Sequence, residues 1–241
     1  MSDATRILVG AGSYVDAAAA LRIVERLVGD ADFGLGGILV EEVTTPAACG
    51  IPNRFVVSTS GVTERAPNTT QLRNLVAADA RAFRESLAHT AMVTGTKWVF
   101  TQETGELIST ALCAAVGWDI LVIGYRRFNA VPGKIVLLEG TGVATGEVGQ
   151  AAALLARQFA VDRVVFSVDP EVTDDNAVHT PMHRHFTTLQ QALTALALTN
   201  AQAVLVDLAD GPLRDPDDLA RLLDVSRCPL IIFSASKVHG P

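Results

Sequence analysis

Gly10-Ala11-Gly12-Ser13 closes a short apolar run at residues 6–9 and precedes a stretch with helical spacing, so it stands where a strand turns into a helix. Glycines at such a junction leave backbone N–H groups bare, and bare amides at a helix N-terminus are what a phosphate can approach. The run from Gly10 to Val15 also begins like a dinucleotide fingerprint, with Glu41 or Glu42 at the end of the next apolar run placed to meet a ribose. Its last glycine is replaced by Val15, which is expected to crowd the helix against the strand. Ser13 has no G-x-S-x-G elbow around it and no assignable His or Asp partner, so no nucleophilic set emerges. His179, His183 and His185 have spacing at which imidazoles bind zinc, but no cysteine joins them and a solvated polar loop is the commoner reading. Cys49, Cys113 and Cys228 lack any C-x-x-C spacing and are odd in number, so they read as small buried residues of a reducing cytosol. Cys228, before Pro229 at the start of an apolar run, is expected to pack rather than react.

The chain has 241 residues, 49% hydrophobic and 19% charged, enough to bury one large core or two modest ones. A net charge of −7 without a clustered Lys/Arg stripe repels a nucleic-acid backbone, so no nucleic-acid partner is expected. No basic leader opens the sequence and no stretch approaches about 18 uninterrupted apolar residues. A cytoplasmic location, with no membrane partner, is the expectation.

Short runs rich in Val, Ile and Leu alternate with longer amphipathic stretches, the pattern of parallel strands covered on both faces by crossover helices. The fold class is therefore α/β, a doubly wound parallel sheet. Strands are expected at residues 6–9, 35–40, 97–101, 119–124, 134–138, 163–168, 203–206 and 230–233, with a short one near 182–185. Helices are expected from Ala17 to Val28, over 69–93 with Gly95 as the stop, from Gly105-Glu106 to Val116, over 145–159, around 189–197 and over 217–225. Residues 43–68 carry three Pro, two Gly and many Thr/Ser, and read as an irregular excursion with one short strand at 54–58. From Lys134 the order strand, turn, helix, strand begins again, with Glu139-Gly140-Thr141-Gly142 as the turn, so a repeat is the simplest reading.

Four segments in this order resemble the universal stress protein family in a tandem arrangement. Ile7-Leu8-Val9 with Gly12-Ser13 and the Ala/Leu-rich helix resembles its first strand, D-G-S turn and first helix. Gly105-Glu106-Leu107-Ile108 and Gly117-Trp118-Asp119-Ile120-Leu121-Val122-Ile123-Gly124-Tyr125-Arg126 resemble its third helix and the G-A-D-L-L-V-I-G-S-R strand. Ile135 to Leu138 with Glu139-Gly140-Thr141 resembles the first strand and turn again. Leu219-Ala220-Arg221-Leu222-Leu223 and Cys228-Pro229-Leu230-Ile231-Ile232 resemble the last helix and the C-P-V-L-V-V closing strand. The resemblance implies two units, residues 1–131 and 132–241, the half-units of a doubly wound, adenine-nucleotide-hydrolase-like sheet that pair either within one chain as a pseudo-dimer or between chains as a homodimer. The first unit is expected to lack its last helix and strand or to share residues 134–138 with the second, and the second to lack its second helix.

Members that bind ATP use an acidic turn residue and a motif G-x-x-G followed nine residues later by G-[ST]. On that pattern Ala11 replaces the acid of the first unit, Gly124 keeps the first motif glycine and Arg127 stands at the second. Gly10, Gly12, Ser13, Gly124, Arg126 and Arg127 are the resulting candidate site residues, the arginines offering bidentate contacts to phosphate. The second unit keeps an acid as Glu139 but places Asp207 and Asp210 at the glycines and Pro216-Asp217 at the G-[ST] pair. Three carboxylates facing a triphosphate repel it by about 1 to 4 kcal/mol per close contact, unless a divalent cation bridges them. The expectation is thus a non-enzymatic, stress-associated binding or regulatory scaffold with no cofactor beyond a weakly held ATP or other adenine nucleotide. The alternative is a nucleotide- or dinucleotide-dependent enzyme working at the first strand-turn-helix.

Overall fold

A computed structural model describes residues 5–29, 33–42, 55–57, 63–65, 68–126, 131–140, 146–171, 182–213 and 215–235. The first half runs β1 (Thr5–Ala11), α1 (Tyr14–Val28), β2 (Phe33–Glu42), a hairpin of β3 (Phe55–Val57) and β4 (Thr63–Arg65), α2 (Thr69–Thr94), β5 (Trp98–Gly105), α3 (Leu107–Ala114) and β6 (Ile120–Ile123). The second runs β7 (Lys134–Glu139), α4 (Glu147–Phe159), β8 (Arg163–Val168), β9 (His183–Phe186), α5 (Leu189–Ala197), β10 (Ala201–Asp207), α6 (Pro216–Ser226) and β11 (Leu230–Phe233).

Among the described residues nine strands form one sheet in the order β5-β2-β1-β6-β11-β10-β7-β8-β9. All neighbours are parallel except β6 and β11, which meet antiparallel with Val122 opposite Ile231. The α/β doubly wound class holds, with this one reversal at the centre. On one side of it the strands lie in the chain order third, second, first, fourth; on the other the second half repeats that order and adds a fifth. Residues 134–139 are not shared between the halves, because β7 lies between β10 and β8.

Strand alternation sorts the side chains into two cores. Ile7, Val9, Val122, Ile135, Leu205 and Ile231 face α1, α2 and α4, while Leu8, Leu121, Ile123, Val136, Val204 and Ile232 face α3, α5 and α6. Five of the helix starts carry a side-chain cap; that of α4, after Gly146, does not. Ser13 caps α1 and Asn68 forms a capping box with Gln71 on α2; Glu106, Thr188 and Asp215 accept backbone N–H groups at the starts of α3, α5 and α6. Gly95 ends α2 in the left-handed conformation, as its position in the sequence implies.

Three expectations change. The single short strand at 54–58 is a hairpin strand, since Val56 pairs with Glu64; the rest of the excursion lies outside the described residues. β5 runs on to Gly105 because its whole length pairs with β2, so α3 starts only after Glu106. Cys113, on α3, is exposed rather than buried, whereas Cys228 is fully buried and Cys49 lies outside the described residues. The expected loss of a helix from the second half falls largely on residues 172–181, also outside them.

Candidate functional site

The chain leaves β1 into α1 on one face of the sheet and enters β6 from α3 on the other. The strand order reverses between β1 and β6, and such a reversal leaves a crevice at the C-terminal ends of the two strands. A cleft of about 640 Å³ opens there, bordered by Gly12, Ser13 and Asp16 after β1, Glu41 and Glu42 from β2, and Gly124 and Arg126 after β6. Leu72, Leu75, Val76 and Asp79 of α2 close one side, with Leu107, Leu223 and Asp224 beside them.

Asp16 is the residue the sequence reading missed, and it organises the mouth of this cleft. Its Oδ2 accepts from Ser13 Oγ at 2.5 Å and its Oδ1 accepts from the Arg126 backbone N–H at 2.7 Å. Ser13 Oγ in turn accepts from Asp16 N–H at 3.3 Å. A carboxylate of the protein therefore already spans the first turn of α1 and the loop after β6, holding an amide of the kind a phosphate would need. The S-x-x-D spacing of Ser13 and Asp16 is the sequence signal that locates it.

The three candidate glycines have different reasons. A Cβ on Gly124 would lie 2.4 Å from the Asp16 carbonyl oxygen and 2.6 Å from its carbonyl carbon, so this glycine lets β6 approach the backbone of α1. A Cβ on Gly10 would meet Ala111 Cβ and Ile123 Cδ1 at 3.1 Å. Gly12 alone has room, its nearest neighbour being Val40 O at 3.9 Å. Ser13 is committed to the cap, Arg126 is exposed at the rim, and Arg127 lies outside the described residues. Ala11, expected to stand in place of an acidic turn residue, is fully buried. Val15 is 53% exposed and does not crowd the helix against the strand, because α1 turns it toward solvent. Glu41 and Glu42 do border the cleft, and with Asp16, Asp79 and Asp224 they set five carboxylates against one guanidinium among the described residues.

The acids of the second half are placed differently. Glu139, at the end of β7, accepts from Ser167 Oγ at 2.7 Å, and Ser167 Oγ also lies 2.7 Å from His183 Nε2. His183 Nε2 is 3.9 Å from Glu139 Oε1, and its ring stacks on that of His185 at 4.3 Å. Burial pushes the Glu139 carboxyl above the usual carboxylate range, against the Ser167 hydrogen bond and the nearby Arg163 charge. Burial, and then the neighbouring His185, hold His183 below the ordinary imidazole range. Asp207 Oδ1 accepts from Ala209 N–H, and the Asp210 backbone packs on Gly140, where a Cβ would lie 2.8 Å from Asp210 O. Asp215 caps α6 with Pro216 in its first turn. Among the described residues no three His, Cys, Asp or Glu side chains are grouped to hold a metal ion; His179 lies outside them. Ser167, a polar residue between Phe166 and Val168 in β8, is the second member the sequence reading passed over.

No protein-family model matches the chain, and no curated protein does. Several solved structures are similar in fold. A universal stress protein from Archaeoglobus fulgidus DSM 4304 is 10% identical with a TM-score of 0.44, over 95% of this chain and 98% of that one. A protein assigned as a universal stress protein from Pseudomonas aeruginosa UCBPP-PA14 is 11% identical with a TM-score of 0.47, over 98% and 95%. The cytoplasmic domain of a prokaryotic cation chloride cotransporter is 9% identical with a TM-score of 0.45, over 97% of each chain. No described helix is long and apolar enough to cross a membrane.

Proposed function

We propose that this chain is a tandem, degenerate universal-stress-protein-like scaffold, non-enzymatic, whose phosphate position is filled by its own carboxylate. The observation that carries the reading is Asp16, hydrogen-bonded to both Ser13 and the Arg126 amide at the crevice between β1 and β6. An anion arriving there must displace a carboxylate and then face Glu41, Glu42, Asp79 and Asp224. Like charges at contact distance oppose each other by about 1 kcal/mol in water and about 4 kcal/mol at a protein surface. The four segments of family resemblance, and the two strand sets whose shared order meets at β6 and β11, support a division into residues 1–131 and 132–241 paired as an internal pseudo-dimer. Regulation through protein contacts, in a stress response, is the role that remains for such a scaffold.

Calorimetric titration with ATP-Mg tests this. The native chain is expected to give no saturable heat, whereas Asp16→Ala, which takes the carboxylate away from the Arg126 amide and removes one charge, raises affinity by about tenfold or more. Tight ATP binding to the native chain, lost in Gly12→Asp, overturns the proposal. Glu41 and Glu42 at the rim are what favours the enzymatic alternative; a nicotinamide cofactor released on denaturation, with Glu41→Ala or Glu42→Ala weakening its uptake, would establish it.

A further inference from the structure

β5 ends the sheet on one side; among the described residues no strand pairs with its outer edge, and residues 101–104 are exposed. On the inner side the Leu35 N–H donates to Lys97 O at 3.1 Å, and the register then pairs residues 98–105 with 35–42. Backbone groups alternate along a strand, so Lys97, Val99, Thr101 and Glu103 direct theirs to β2. Trp98, Phe100, Gln102 and Thr104 direct theirs outward. Natural edge strands are blunted by proline, several charges, a bulge or short length. This one has none of these: it is eight residues long, has no proline or bulge, and carries Glu103 as its sole charge. Val99 on the strand is 55% exposed, and Met92 and Val93, at the end of the helix leading into it, are more so.

We propose that β5 is a strand-pairing surface for a second copy of this chain, joined antiparallel across a two-fold axis at Thr101. One register uses every outward group. It sets Trp98 opposite the partner's Thr104 and Phe100 opposite the partner's Gln102, each pair exchanging both main-chain bonds. The same register fixes the charges. Val99 faces the partner's Glu103, and Lys97 lies diagonal to that carboxylate, within reach of a long side chain. The two-fold repeats this Lys–Glu contact, and keeps the two Glu103 side chains apart. Charge complementarity thus selects the same pairing that the backbone alternation allows, and identifies a second copy as the occupant. The surface is independent of the cleft and of the β6·β11 pairing.

Sedimentation velocity on the full chain tests it, with circular dichroism to confirm folding. The native chain is expected to be a dimer. Thr101→Lys places two ammonium groups across the axis, and Gln102→Pro removes an outward N–H while sparing every bond to β2; each is expected to weaken dimerisation by about tenfold or more. Lys97→Glu and Glu103→Lys singly weaken the dimer, and the double exchange restores it. Hydrogen exchange at Phe100 and Gln102 slows with protein concentration. A chain that stays monomeric at about 100 μM, or a dimer indifferent to all of these substitutions, overturns the proposal; the latter would place the interface elsewhere.

Discussion

Ser167 has one hydroxyl hydrogen and two partners, which fixes the protonation logic of its neighbours. With Glu139 ionised, the hydroxyl donates to the carboxylate, so His183 Nε2 must carry a proton and donate to Ser167 Oγ. Burial raises the Glu139 pKa, so the stability tied to this group is fully present below pH 4.5 and is lost as pH rises through the raised value. For His183 the sign is opposite: its lowered pKa contributes stability above pH 6.5 that is lost as pH falls through the lowered value. Glu139→Gln, which keeps an acceptor for Ser167, is therefore expected to raise the melting temperature by roughly 1 to 3 °C at pH 8 and not at pH 4. His183→Gln is expected to flatten the loss of stability below pH 6.5. Thermal melts from pH 4 to pH 8 check both, and a Glu139→Gln gain confined to acid pH would contradict the sign. At this scale the sequence was only half legible. Gly124 stood out as a glycine, but its cause, contact with the Asp16 backbone, depends on two segments over a hundred residues apart. Glu139 was visible as an acid, and its partner Ser167 becomes recognisable only once β7 and β8 are known to be neighbours.

α2 shows how an element can be anchored at one end and poised at the other. Its buried residues, Phe83, Leu87, Thr90 and Ala91, lie in the C-terminal half, where Phe83 meets Phe100 edge-on at 5.4 Å. The N-terminal half borders the cleft through Leu72, Leu75 and Val76 and has little burial to hold it, so the Asn68–Gln71 capping box carries more of its stability. Asn68→Ala is expected to cost about 1 kcal/mol, seen as faster hydrogen exchange over residues 71–76 with the C-terminal half unchanged. Uniform acceleration along the helix would mean that the cap supports the whole fold rather than one wall of the cleft. The helix was readable because a capping pair, an apolar period and a stop glycine all agreed. The hairpin of β3 and β4, the full length of β5 and the reversal at β6 were not, for a common reason. Each is decided by a pairing partner, and a fully apolar run such as Ile120-Leu121-Val122-Ile123 carries no mark of the direction in which its neighbour runs.

At the scale of the molecule, the two strand sets do not own separate cores. Val122 from one half and Ile231, Leu205 and Ile135 from the other lie under α1, α2 and α4, while Leu8, Leu121 and Ile123 share the opposite face with Val136, Val204 and Ile232. β6 and β11 are buried over their whole length, each against the other. Separating the halves at residue 131 would expose Leu121, Val122 and Ile123 together with an unpaired strand edge, at about 1.5 to 3 kcal/mol for each large side chain returned to water. That loss is a large fraction of the 5 to 15 kcal/mol that stabilises a typical domain. The intact chain is therefore expected to unfold in one calorimetric transition, with van't Hoff and calorimetric enthalpies equal, even though its strand order reads as two units. The fragment 1–131 is expected to be unfolded or to aggregate through β6, and to recover a native-like spectrum only when mixed with 132–241. Two resolved transitions, or a fragment that folds and stays soluble alone, would show that the pairing of β6 with β11 joins two finished domains rather than completing one.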